Sequence, residues 1–276
     1  VCASGISAAT VRSDAGPVAW WHLDENGGLA VHDSSGNGHG GTVYGAKWGD
    51  GISQSALVFD GADNYVEVPT SPDLNLTSAI TIEVWIKQYS LDDMDRTIIA
   101  KGPSSTDVSN YDLRIHEGKV RFLFKDPGVS WVVYSTDEPV VTADTWMHIA
   151  VVHVWGNASA TKIYVDGVEK PGMWIAGNGD EETVSNPYPL YISGTGRLNG
   201  FNGAIDEVRI YNRPLSGEEI KAHYDEMISG GSAGGTTTDT GASFPSGWVI
   251  VAAAPAIIAV LLIAFVFWRK RTHGER

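Results

Sequence analysis

Cysteine is nearly absent: Cys2 is the only one in 276 residues. No intrachain disulfide can form, so the fold must stand on its buried core, with a bound metal ion as the available supplement. Positive charge is also scarce. Lys and Arg number 19 against 33 Asp and Glu, a net charge of −14. Binding phosphate backbones requires a basic footprint, so nucleic acid is excluded as a partner. The carboxylate excess suits divalent cations or plain solubility. Catalytic punctuation is missing as well: there is no Gly-x-Ser-x-Gly elbow, no His-Glu-x-x-His and no phosphate loop. His148 and His153 are expected on opposite faces of one strand, a poor arrangement for joint metal ligands. The chain opens on Val1 without methionine, and the small, apolar stretch Val1 to Ala9 reads as the end of an export signal, or Cys2 as a lipidated residue.

One long hydrophobic run is present. Trp248 to Trp268 is uncharged and is followed at once by Arg269, Lys270 and Arg271. About 20 apolar residues in a helix cross a bilayer core, and basic flanks stay cytoplasmic. The expectation is a single-pass transmembrane helix with an extracytoplasmic N-terminal head and a cytoplasmic C-terminus. No Leu-Pro-x-Thr-Gly sorting motif precedes Trp248, so the anchor is expected to be retained. The layout is then an N-terminal segment over 1–17, a folded domain over 18–228, a Gly/Ser/Thr stalk over 229–247, the membrane helix over 248–268 and a basic tail over 269–276.

Between Val18 and Tyr211 the dominant period is two. Ile82, Val84 and Ile86 alternate with Thr81, Glu83, Trp85 and Lys87. Lys119 to Phe124 alternates too, and Ala204 to Tyr211 reads as another strand. Trp146 to Val154 is apolar on both faces, as a central strand would be. Asp166-Gly167 between Val165 and Val168 is a tight hairpin signal. Short strands punctuated by Gly, Asn, Asp and Pro predict an all-β antiparallel sandwich. One short helix closes it: Ser216-Gly217-Glu218-Glu219 is a capping box, with Ile220, Tyr224 and Met227/Ile228 on one face.

Six segments in order carry a family likeness. They are Ala19-Trp20-Trp21-His22-Leu23-Asp24-Glu25; Asp33-Ser34-Ser35-Gly36-Asn37-Gly38; Leu57-Val58-Phe59-Asp60-Gly61; Trp146-Met147-His148-Ile149-Ala150-Val151; Ile163-Tyr164-Val165-Asp166-Gly167; and Ala204-Ile205-Asp206-Glu207-Val208-Arg209-Ile210-Tyr211 running on to Ser216. Over about residues 18 to 227 the chain resembles the laminin-G-like, concanavalin A-like lectin/glucanase domains. That resemblance implies a jelly roll of two curved antiparallel sheets, binding more often than catalysis, and a structural calcium ion.

Calcium takes six to eight oxygen ligands. With first and last strands side by side, Asp24, Asp33 and Asn37 can meet Asp206; Asp60, Asp63 and Asn64 form a second candidate cluster. The bland reading of Asp33 to Gly38 and of Asp60-Gly61 is a turn that caps its own backbone. For ligand contact, sugars stack their C–H faces on rings. Trp131, Trp155, Trp174 and Tyr188 lie at strand ends or in Gly/Asn/Pro-rich loops and are the candidates; Trp20, Trp85 and Trp146 are expected in the core. The glucanase pattern Glu-x-Asp-x-x-Glu is absent, and adjacent Asp206 and Glu207 are expected on opposite faces. The chain therefore reads as a membrane-anchored surface module binding a glycan or a surface protein. A protein-adhesion module without a sugar site stays open as the alternative, and a glycan hydrolase as the more distant one.

Overall fold

The alternating segments form strands. In the computed structural model, residues 16–103, 108–128, 130–194 and 199–231 are described, all within one compact unit. In chain order the strands are β1 Ala19–Trp21, β2 Ala30–Val31, β3 Gly41–Tyr44, β4 Lys47–Asp50, β5 Ser55–Asp60, β6 Tyr65–Val68, β7 Ala79–Gln88, β8 Arg96–Lys101 and β9 Tyr111–His116. They continue with β10 Lys119–Lys125, β11 Trp131–Thr136, β12 Met147–Val154, β13 Lys162–Val165, β14 Val168–Lys170, β15 Gly172–Ala176, β16 Leu190–Ile192 and β17 Asn202–Tyr211, before helix α1 Gly217–Gly231. One sheet of eight strands runs β14-β13-β12-β7-β17-β5-β4, with β1 also beside β17; the other, of nine, runs β15-β11-β10-β9-β8-β16-β6-β3-β2.

The alternation sorts the faces. Ile80, Ile82, Val84 and Ile86 of β7 are fully buried and share one core with Val66, Ile99, Leu113 and Phe122 of the nine-stranded sheet. Each such side chain contributes about 1.5–3 kcal/mol on leaving water. The other face of β7 is buried too, because α1 lies across it. Trp85 stacks on Tyr224 with ring centroids 5.6 Å apart, and Ile220 packs with Ala150, Val152, Tyr164, Tyr211 and Leu215. The expected capping box is reciprocal: Glu219 N–H donates to Ser216 Oγ and Ser216 N–H to Glu219 Oε2. The helix runs three residues into the stretch read as stalk. Asp166 and Gly167 both take positive φ, 53° and 72°, as the two-residue β13–β14 turn requires.

β17 organises the eight-stranded sheet. One edge pairs with β7; the other pairs first with β5 and then with β1. Between Asp206 and Arg209 the β7 register shifts, and Glu207 takes a left-handed φ of 49°. This β-bulge spends one extra residue. Asp206 lies opposite outward-facing Trp85, and Glu207 reaches Trp20 and His22 on that same outer side. The expectation of opposite faces fails here because the bulge breaks the period of two. His148 and His153 do fall on opposite faces, the first under α1 and the second against Phe122 and Phe124.

The membrane expectation needs correction. The architecture is an all-β two-sheet sandwich with one C-terminal helix, and among the described residues no helix is long and apolar enough to cross a membrane. Helix α1 carries Glu218, Glu219, Lys221, Asp225 and Glu226, and only one stripe of it is apolar. The run 248–268, its basic tail, most of the stalk, and Cys2 lie outside the described residues. The single-pass localisation, with an extracytoplasmic head and a cytoplasmic end, therefore has no helix among the described residues to support it.

His153 is wholly buried, bonded through Nδ1 to Thr161 Oγ1 at 2.8 Å, and burial pushes its pKa down to about 3. A histidine depressed in this way stabilises the fold above its unfolded pKa near 6.5, and that contribution is lost as pH falls toward the folded value. We predict that His153→Leu flattens the acid limb of the stability curve between pH 6.5 and 3, by up to about 1.4 kcal/mol per pH unit. Urea melts across that range read the slope; identical acid limbs would refute the assignment.

Candidate functional site

Residues at alternate positions of β1 and of the bulged β17 meet on the outer face of the eight-stranded sheet. Trp20 lies opposite Arg209, and Arg209 opposite Glu83 of β7. The Arg209 guanidinium lies 4.3 Å over the Trp20 ring, and the His22 ring sits 4.1 Å from the same ring. Glu207, 3% exposed, gathers three donors. Trp20 Nε1 donates to Oε2 at 2.9 Å, an Arg209 terminal nitrogen reaches Oε2 at 3.1 Å, and His22 Nδ1 is 2.7 Å from Oε1. An uncompensated carboxylate here would be costly; this one is paired and fully bonded.

Beside this cluster opens a cleft of about 710 Å³. Trp20, His22, Ser53, Gln54, Arg209 and Tyr211 line the sheet side, and His223, Glu226 and Met227 of α1 form the opposite wall. Its chemistry is mixed: an aromatic edge, a guanidinium, imidazoles and an amide alongside Ile52 and Met227.

Asp24 and Asp206 sit just behind the cleft. Asp206 is fully buried; its Oδ2 accepts the N–H groups of Ile52 and Ser53, and its Oδ1 that of Glu207. Burial pushes its carboxyl up to about 8, the Glu207 charge adds to that, and the backbone donors oppose it. Asp24 accepts from Ser55 N–H and from Gln54 Nε2, and burial raises it as well. Gly51 packs tightly against Asp206 and its own turn. A Cβ there would fall against Ser53 O and lie 2.5 Å from both Asp206 Oδ2 and Ser55 O. These oxygens close on Gly51 so tightly that no side chain fits there. Leu23, Gln54 and Glu207 all hold left-handed backbone around it, at φ of 59°, 46° and 49°. Strain of that kind concentrates at functional positions.

The other expected ligands lie elsewhere. Asp33 accepts four hydrogen bonds, from Trp20 N, Ser35 N, Ser35 Oγ and His39 N, which together hold its carboxyl below the usual range against burial. Asn37 is exposed, and its Nδ2 donates to Val18 O. Both serve the turn after β2. Asp60 caps Ala62 N–H in its own turn, Asp63 is exposed, and Asn64 takes a Ser193 hydroxyl on its carbonyl. Among the described residues, His22, Asp24 and Glu207 are the group of three whose ligand atoms approach within 4.8 Å. Two of them are already bonded to each other.

The four expected ligand aromatics do not form one row. Trp155 is 6% exposed and meets Phe124 and His153 edge-on; Trp174, on β15, packs against the same two rings and Tyr134. Trp131 is half-buried at the start of β11, with Lys125 Nζ 4.7 Å over its ring. Tyr188 is exposed, and its carbonyl accepts the buried Lys101 amine at 2.6 Å. Sequence reasoning missed Trp20, His22, Glu207 and Arg209. The signal present was the Glu207-x-Arg209 alternation on β17; His22 follows the end of β1, and no period marks it. Glu207→Ala should strand three half-buried donors and destabilise the fold by about 1–3 kcal/mol. Glu207→Gln should cost clearly less, and equal denaturation midpoints for the two would remove Glu207 from this role.

A laminin-G family model, described as the concanavalin A-like lectin/glucanases superfamily, matches residues 60–221. No curated protein matches the chain. Solved structures share the fold. The binding domain of Paraclostridial Mosquitocidal Protein 1 superposes with a TM-score of 0.60 at 17% identity, over 76% of this chain and 52% of that one. The receptor binding domain of botulinum neurotoxin mosaic serotype C/D gives 0.59 at 15%, over 77% and 51%. The serotype G binding domain gives 0.59 at 16%, over 77% and 51%. This chain thus spans about half the length of those domains, and such low identity carries the fold alone. With its sandwich topology and the family match over more than half its length, the chain belongs to the concanavalin A-like lectin/glucanases superfamily.

Proposed function

We propose that this domain is a non-catalytic binding module that takes a glycan in the cleft beside Trp20. The observation that carries the reading is the cleft itself, where the Trp20 edge, Arg209, His22 and Gln54 converge with held geometry on an open face. Apolar surface with a few fixed polar groups is what orients a sugar. Glu207 speaks against hydrolysis: both its oxygens are committed to protein donors, so it is poorly placed to act as nucleophile or general acid. The solved structures that share the fold are named as binding or receptor binding domains, which agrees with this reading. A glycan array probed with wild-type protein, Trp20→Ala and Arg209→Ala tests it. Binding by wild type that both substitutions weaken at least tenfold is expected. Loss on Trp131→Ala or Tyr188→Ala instead would move the ligand to those rings, and no binding by folded protein would sink the glycan reading.

A protein ligand is the second reading, and one observation favours it. Val168, Met173 and Ile175 are large, apolar and more than half or about half exposed on β14 and β15, the edge strands of the two sheets. Unpaired edges with apolar side chains invite pairing with another chain.

We further propose calcium as a structural brace held by Asp206, Asp24 and the carbonyls of Ser53 and Ser55. What supports it is that Asp206 and Asp24 both face the 51–55 turn, and that the buried Asp206 carboxyl has three backbone donors and, among the described residues, no cationic side chain bonded to it. When bound, the ion would neutralise Asp206 and tie the 51–55 turn to β17. Ligand linkage gives about 2.7 kcal/mol at a hundredfold excess over Kd. Thermal melts should therefore shift upward with calcium and back with chelator in wild type, but not in Asp206→Ala. An unchanged melting temperature in wild type would rule the brace out.

A further inference from the structure

One wall of the cleft is helix α1, so whatever fastens α1 shapes the site. The fastening is an ionisable group buried under the helix. Glu83, on β7, is 1% exposed. His223 of α1 reaches down to it, with Nδ1 2.9 Å from Glu83 Oε2. Glu83 Oε1 has no hydrogen-bond partner: the nearest imidazole, His148 Nε2 on β12, stands 3.6 Å away, beyond hydrogen-bond range. The remaining neighbours supply no bonded cation. Arg209, on β17, is committed to Glu207 and to the Trp20 ring. The Tyr211 hydroxyl beside Glu83 is neutral, its pKa raised by burial and then by the Glu83 charge. Glu219, on the helix itself, pairs with Arg213.

We propose that His223 is a pH-dependent latch that holds α1 against the eight-stranded sheet and thereby sets the width of the ligand cleft. The cleft part of this rests on the glycan-binding reading above; the latch does not. A buried carboxylate with a single cationic partner loses most of its compensation when that partner goes neutral. The hydrogen bond to Glu83 raises the His223 pKa above its ordinary value of 6.5, against desolvation. A histidine raised in this way contributes fully below 6.5, and the contribution is lost as pH climbs through the folded value. His148 cannot take over, since burial pushes it down to about 4 and keeps it neutral across that range. The helix is therefore latched below pH 6.5 and loosens as pH climbs through the raised folded pKa, taking Met227 and Glu226 away from the cleft.

Hydrogen exchange of the α1 amides in the full chain, from pH 5.5 to 8.5 and corrected for intrinsic rates, tests the latch without any ligand. The β7 amides serve as the reference for global opening. In wild type the α1 opening constant should rise with pH, by up to about tenfold per unit between the free and folded pKa values. His223→Gln keeps a donor but does not titrate, so its α1 opening relative to β7 should no longer change with pH. Should that variant fail to fold, Glu83→Gln removes the charge and must flatten the same slope. A wild-type α1 whose opening is independent of pH, or a variant that keeps the wild-type slope, overturns the proposal. Because the readout is helix opening, failure of the glycan reading leaves this result untouched, and the reverse holds as well.

Discussion

The whole arrangement hangs on β17 pairing with β7 while changing partner on its other edge. A ten-residue strand that meets β5 over its first half and β1 over its second must absorb a register change somewhere. It does so at Asp206–Glu207, where the extra residue turns two neighbouring carboxylates to one side of the sheet. Without the bulge, Glu207 would point into an apolar core built by Ile205, Val208 and Ile210. With it, one carboxylate faces the 51–55 turn and the other faces β1.

The outer face of an antiparallel sheet is ordinarily wet and polar. Here it carries one continuous cross-strand row, from Trp20 through Arg209, Glu83, Ala150 and Tyr164 to Glu169. Helix α1 covers the middle of that row and leaves the Trp20 end open. Cleft and helix seat are thus two parts of one surface, and Arg209 lies where they meet. Charge is handled locally: buried carboxylates lie close to imidazoles, a guanidinium or backbone N–H groups, even though the chain as a whole is strongly acidic.

Local rules carried the fold. Ile82, Val84 and Ile86, the Asp166-Gly167 turn and the Ser216–Glu219 box each depend on a few consecutive residues, and each formed as the period or the turn chemistry required. The site was less legible, because it is made of long-range pairings. Asp206 and Glu207 were read on opposite faces, since a bulge leaves no mark in a two-residue period. Trp20 was expected in the core, where its neighbour Trp21 lies instead, fully buried. Asp24 and Asp206 both accept backbone N–H groups of the 52–55 turn, whereas the Asp33 carboxylate is spent on its own turn, the competing reading of Asx chemistry. Trp155 and Trp174 were taken for exposed loop rings from their Gly- and Asn-rich surroundings, which also describe an edge strand packed over aromatics.

Pro17 and Gly230 line the same cleft, so the polypeptide enters and leaves this domain at one place. Tension between those two points would not pull across the sandwich. It would peel three-residue β1 from β17 and lift α1 from its seat, one row of contacts at a time, while β7, β12 and the rest of β17 stay unloaded. Mechanically the domain is a pendant: a pull on those two points would open the cleft before it disturbed the core.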